Sequence, residues 1–149
     1  MRYLNLFLLA FLLFPVLASG QRPDREEIES LRVAIFTKHM DLTPEESKAF
    51  WPVYNKLREE TNQLHRKRRD RMGKLRKETA SLSDEQVRAL VEEEVTYYEK
   101  EAAITRKYNE QLKKILPIKK VARYYTAEEA FKRELIDRLR ERRNESRSR

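Results

Sequence analysis

The chain has 149 residues, 39% of them charged, with 33 Lys and Arg against 25 Asp and Glu and a formal net charge of +8. It contains no cysteine and only two glycines, Gly20 and Gly73. Disulfide scaffolds, thiolate metal sites and cysteine nucleophiles are thereby excluded, as are the phosphate cradles of P-loop and dinucleotide-binding enzymes, which need several glycines so that backbone N–H groups can approach phosphate.

Residues 1–20 have the form of an export leader. Arg2 supplies a positive n-region, Leu4 to Leu13 an apolar h-region, and Ala18-Ser19-Gly20 a small-residue cleavage site. Cleavage is expected after Gly20, leaving a mature chain that begins at Gln21. The apolar run to Leu17 is shorter than the roughly 20 residues a membrane span requires, and no later run competes, so the mature chain is expected to have no transmembrane segment. With so little glycine and only five prolines there is little material for hairpins. The sequence predicts an all-α fold, one helical domain over residues 21–141, and a disordered basic tail over 142–149.

A first helix opens at Pro23 and Asp24, carries Ile28, Leu31 and Ile35 at helical spacing, and should end near Met40. The second begins at Leu42-Thr43-Pro44-Glu45-Glu46. Thr43 can accept from the Glu46 N–H while Glu46 accepts from the Thr43 N–H, and Pro44 sits at the first helical position, where its missing N–H costs nothing. Phe50, Tyr54 and Leu57 then share a face, widened by Trp51 and Val53, but Pro52 interrupts the helix and predicts a bend near Lys48 to Pro52. No strong stop follows until about Thr79, which gives a helix of roughly 36 residues, about 54 Å long. Its apolar stripe narrows to Leu64, Met72 and Leu75, so its distal half reads as one strand of a long helical hairpin.

The third helix starts at Leu82-Ser83-Asp84-Glu85-Gln86, with Ser83 and Gln86 as capping box and Leu82 against Val87 as a staple. Its expected seam is Val87, Val91, Glu94, Tyr98, Glu101, Thr105, Tyr108, Leu112 and Ile115. Pro117 ends it, and a fourth helix follows with Val121, Tyr124, Phe131, Leu135 and Leu139.

The densest charge run is His65-Arg66-Lys67-Arg68-Arg69-Asp70-Arg71. Folding the second helix back on the third places residues 66–71 opposite about 92–97, where Glu92, Glu93 and Glu94 stand. The run therefore has two readings: a solvated face partly neutralised across the hairpin, or a surface for a client or partner made of Arg66, Lys67, Arg68, Arg69 and Arg71. Nucleic acid is not expected for an exported chain, despite the basic cluster. Trp51 lies beside rather than on the central stripe and reads as core. His39 and His65 fall on different helices, so a zinc-type site would need both together with a carboxylate such as Asp41, and no metal or other cofactor is expected. Ser47 and Ser83 are accounted for by helix starts, and no acid–base pair stands out among the solvated carboxylates, so the chain is read as a non-enzyme.

The two starts of the form Leu-Thr/Ser-x-x-Glu/Gln, forty residues apart in a small, basic, exported helical chain, resemble the Spy/CpxP family of periplasmic proteins and its LTxxQ motifs. Here Glu46 stands in the first copy where the pattern has Gln, and Ser83 in the second where it has Thr. The Phe50-Trp51-Pro52-Val53-Tyr54-Asn55 run and the Leu116-Pro117-Ile118-Lys119-Lys120-Val121 turn are similar to a Bacteroidetes branch of that family, labelled sensors linked to ECF-type sigma factors. The resemblance implies an elongated four-helix protomer, paired as an antiparallel, cradle-like homodimer. It implies a chaperone that binds unfolded envelope proteins without ATP or, alternatively, a soluble regulatory partner of an envelope-stress sensor. Some relatives bind zinc or nickel, which makes a metal sensor a further alternative. A client or dimer contact at Trp51 is only what this resemblance would allow.

Overall fold

The computed structural model describes residues 25–148, which form four helices and no strand: α1 (Arg25–Met40), α2 (Pro44–Glu78), α3 (Asp84–Ile115) and α4 (Ile118–Arg147). The leader expected at residues 1–20 lies outside the described residues. Both capping boxes form. The Thr43 hydroxyl accepts from the Glu46 N–H at 3.2 Å, and the Glu46 carboxylate accepts from the Thr43 N–H at 2.9 Å. At α3 the Ser83 hydroxyl accepts from the Gln86 N–H at 3.3 Å, and the Gln86 side chain accepts from the Ser83 N–H at 2.9 Å. Each reciprocal pair satisfies two donors that a helix start otherwise leaves open. Between α1 and α2, Asp41 adopts φ 51, a left-handed conformation that aspartate tolerates better than most residues. That residue ends α1 and turns the chain into Leu42 and Thr43.

α2 runs as a single helix from Pro44 to Glu78 with Pro52 inside it. Pro52 is exposed, so the carbonyl it deprives of a partner lies on the solvent side, while Phe50 and Tyr54 on either side of it are fixed in the core. The tail expected to be disordered from Arg142 is helical through Arg147. Arg142 is held by the Glu27 carboxylate of α1, and Glu134 and Arg138 pair at i, i+4 along the helix before it. These pairs favour helix where composition alone favours a solvated coil.

The helices pair as α1 with α4 and α2 with α3, each pair antiparallel. The two pairs share a base. Its core joins Phe36 and Met40 of α1, Phe50 and Tyr54 of α2, Leu112 at the end of α3, and Val121, Tyr124, Ala127 and Phe131 of α4. Phe36 is its centre, with ring centroids 4.9 Å from Tyr54, 6.1 Å from Phe50 and Tyr124, and 6.5 Å from Phe131. Lys120 ties the start of α4 to that of α2, donating to the Glu46 carboxylate and to the Asp41 carbonyl. This donation, with the Thr43 N–H second, holds the Glu46 carboxyl below its usual range. Beyond the base, α2 and α3 continue together as a distal arm.

The α3 seam also departs from its expected register. Tyr97, absent from the expected seam, is buried, whereas Val91, Val95 and Tyr98 are 52%, 56% and 55% exposed. The Arg68 guanidinium lies 4.6 Å from the Tyr97 ring centroid, and the Tyr97 hydroxyl donates to Glu101 at 2.7 Å, so the half-polar seam runs through Glu94, Tyr97 and Glu101.

Candidate partner-binding surface

The basic run of α2 is split by the fold into two sets. Arg68 and Arg71 turn toward α3 and share one carboxylate: Arg68 Nε donates to Glu94 at 2.8 Å and Arg71 Nη2 to the same group at 3.1 Å, with Arg71 Nη1 3.3 Å from Glu93. The Arg68 guanidinium, then burial in the opposite sense, then Arg71 set the net effect on Glu94, whose carboxyl is held below its usual range. Further along the arm His65 meets Glu101 at 3.0 Å, and Glu60 accepts from Lys107 at 2.6 Å and from the Tyr108 hydroxyl at 2.7 Å. Arg66, Lys67 and Arg69 are exposed and have no hydrogen-bond or ion-pair partner among the described residues. Cross-hairpin neutralisation thus holds for two members of the run, and three remain on the solvent side.

Trp51 belongs to the base. It is half-buried, with its ring 5.0 Å from Phe50, 5.6 Å from Tyr54 and 6.1 Å from Phe36. The motif residues Leu42, Thr43, Pro44, Glu46, Leu82, Ser83 and Gln86 make helix starts at opposite ends of α2 and leave no shared site. His39 is exposed on α1 while His65 is engaged on Glu101, and among the described residues no group of three or more His, Asp and Glu is placed to hold a metal.

A cleft of about 920 Å³ opens between the arm and α4, with Tyr54, Tyr98, Tyr124 and Phe131 among its walls. Arg32, 7% exposed, lies over the Phe131 ring at 4.4 Å and donates to Glu29 at 3.2 Å, while Arg58 grips the same Glu29 with two bonds of 2.8 and 2.9 Å. Glu128 lines the cleft. Burial raises its carboxyl above the usual range, against weaker opposition from the Tyr54 hydroxyl, Lys132, the Tyr124 hydroxyl and Arg58. Burial likewise pushes the Tyr54 and Tyr124 phenols upward, so both stay protonated donors at any physiological pH.

Along the rim of this cleft runs the face of α3 that the protomer leaves uncovered. Val91, Val95 and Tyr98 recur at i, i+4 and i+7, and Tyr98 leads into the cleft wall. Sequence periodicity places Val91 and Tyr98 on the seam; the fold turns that row sideways to solvent. Sequence reasoning missed Glu128, Arg32 and the Glu29–Arg58 clamp. Arg32 carried a usable signal, since it follows Ile28 by four residues and precedes Phe36 by four, on the stripe that packs. No protein-family model matches the chain, and neither a curated protein nor a solved structure matches it. Among the described residues no helix is long and apolar enough to cross a membrane.

Proposed function

We propose that this chain is a periplasmic, ATP-independent chaperone-like protein that captures exposed segments of unfolded envelope proteins. The observation that carries the reading is the uncovered row Val91, Val95 and Tyr98, each about half exposed, on an arm whose α2 also bears the unpaired cations Arg66, Lys67 and Arg69. A row of three apolar side chains is too small for a tight, permanent interface. It suits brief contacts with many sequences, while the positive charge of the arm draws acidic segments in before contact. The resemblance of the two helix starts to LTxxQ motifs and the leader-like residues 1–20 add support from the sequence. In the same reading two copies join as an antiparallel cradle, completing the cover over Leu64, Met72 and Leu75, which the protomer leaves half-buried.

The test is suppression of aggregation. The protein should lower light scattering from several unrelated unfolding clients at equimolar ratio without nucleotide. Salt should slow capture more than it releases bound client, because exposed charges are screened beyond about 8 Å at physiological ionic strength whereas apolar contacts persist. Val91→Ser with Val95→Ser should remove most of the protection while circular dichroism stays unchanged. Failure of the wild-type chain to protect any client would end the chaperone reading in favour of the regulatory one, in which the chain binds the lumenal domain of an envelope-stress sensor.

A further inference from the structure

The cations left over on α2 form a feature of their own. Arg68, Arg71 and Leu75 mark the side of α2 that meets α3; Arg66 and Lys77 lie on the opposite side, with Arg69 and Arg76 on one flank and Lys67 and Lys74 on the other, all exposed and without partners among the described residues. At 1.5 Å per residue this ridge is about 16 Å long. Asp70 is its only acid before Glu78 at the helix end, and the two apolar residues within the span, Met72 and Leu75, are half-buried. Gly73 sits in the middle, and a Cβ there would meet nothing within 4 Å.

We propose that this ridge docks the protein on an anionic, phosphate-bearing lipid surface. The ridge has charge without shape: no exposed aromatic or aliphatic anchor projects from it, and its long flexible cations flank a position with no side chain. A folded acidic protein would have to match six mobile charges with fixed ones. A fluid lipid sheet instead brings its phosphates to the cations and tolerates any spacing. The Arg68–Glu94–Arg71 cluster strengthens the case, because it consumes the cations facing inward and leaves the positive charge of the helix one-sided. The leader expected at residues 1–20 would deliver the chain to a compartment bounded by such surfaces and away from nucleic acid. The uncovered row of α3 and the cleft do not take part, although Arg66, Lys67 and Arg69 are shared with the proposed steering of clients.

Co-sedimentation of the full chain with vesicles tests this, using phosphatidylcholine alone and phosphatidylcholine mixed with phosphatidylglycerol. The apolar residues 4–13 are the same in every chain compared, so the variants isolate the ridge. Binding should be stronger with phosphatidylglycerol, and the added binding should fall with salt. Arg66→Glu with Lys67→Glu and Arg69→Glu should weaken it at least about tenfold, since each cation near an anionic leaflet contributes measurably. The neutral set Arg66→Gln, Lys67→Gln and Arg69→Gln should weaken it less but clearly, and guards against a reversal that disturbs the helix. Reversal of three exposed cations elsewhere, Lys114→Glu, Lys119→Glu and Arg133→Glu, changes net charge equally and should cost much less. Equal losses from the two reversals, or no preference for phosphatidylglycerol, would overturn the proposal. Tighter binding to duplex DNA than to the anionic vesicles, at matched phosphate concentration, would overturn it in favour of a nucleic-acid surface.

Discussion

At the base of the molecule Phe36, Met40 and Phe50 are fully buried, and four helices contribute to one cluster of rings and aliphatic side chains. Along the distal arm, between residues 58 and 104, Tyr97 alone is buried, and α2 is held to α3 by Arg68, Arg71 and His65 on Glu94, Glu93 and Glu101. The base rests on removal of apolar area from water, at about 25 cal/mol per Å², which salt and pH scarcely touch. Partly exposed ion pairs contribute little each and weaken with salt. A long hairpin built this way keeps its geometry through helix propensity and many small charge contacts. Its backbone should open locally before the base does. The contrast also separates roles in the fold: the base fixes how the helices leave it, and the arm carries the exposed row of α3 and the exposed cations of α2.

The contrast is broken most directly at Phe50. Its ring is 0% exposed and within 6.3 Å of the Phe36, Trp51, Tyr54 and Tyr124 ring centroids, so Phe50→Ala removes contacts to α1 and α4 as well as within α2. The expected cost is about 3–5 kcal/mol in chemical denaturation, with little dependence on salt. A cost below about 1 kcal/mol would mean that the base collapses around the hole and is not the rigid anchor described above.

Glu94→Gln addresses the arm. The folded carboxyl lies below its unfolded value of 4.5 because of Arg68 first and Arg71 after it. The sign follows from linkage: a carboxyl depressed by folding contributes stability that is present above the unfolded pKa and lost as pH falls through the folded one. The substitution should therefore lower Tm near neutral pH, and the gap to the wild type should close on acidification. High salt should also narrow it. A gap that is the same in acid as at neutral pH would show that Glu94 acts through packing and not through charge.

The same contrast governs what could be read in advance. Helix starts were legible because each is a pattern of four or five consecutive residues, and both Thr43–Glu46 and Ser83–Gln86 form as the residues suggest. The pairing of residues 66–71 with 92–97 was legible because two helices joined by a short turn must run back on each other. The α3 register was not. Tyr97 and Tyr98 are adjacent aromatic residues on different faces; Arg68 touches both, and only Tyr97 also meets His65 of α2, a contact no local pattern announces. The continuation of α4 past Arg142 was hidden for a similar reason, since Glu27 lies 115 positions away in sequence. The cleft draws walls from all four helices, so no local pattern announces Glu128.

Gly73→Ala offers the smallest effect and the one of opposite sign. A glycine inside a helix costs roughly 0.5–1 kcal/mol relative to alanine, through the backbone freedom it loses on folding. Most buried glycines repay that cost by admitting a neighbour, but here an added Cβ would meet no atom within 4 Å. The substitution should therefore stabilise α2 by about 0.5–1 kcal/mol, and do so in the arm more than in the base. Hydrogen exchange resolves the two regions: amides near residue 73 should slow, and those around Phe50 and Tyr124 should change only by the shift in global stability. A destabilised Gly73→Ala chain would mean that something closes on this face in solution. A second copy is the first candidate, and the loss would then grow with protein concentration.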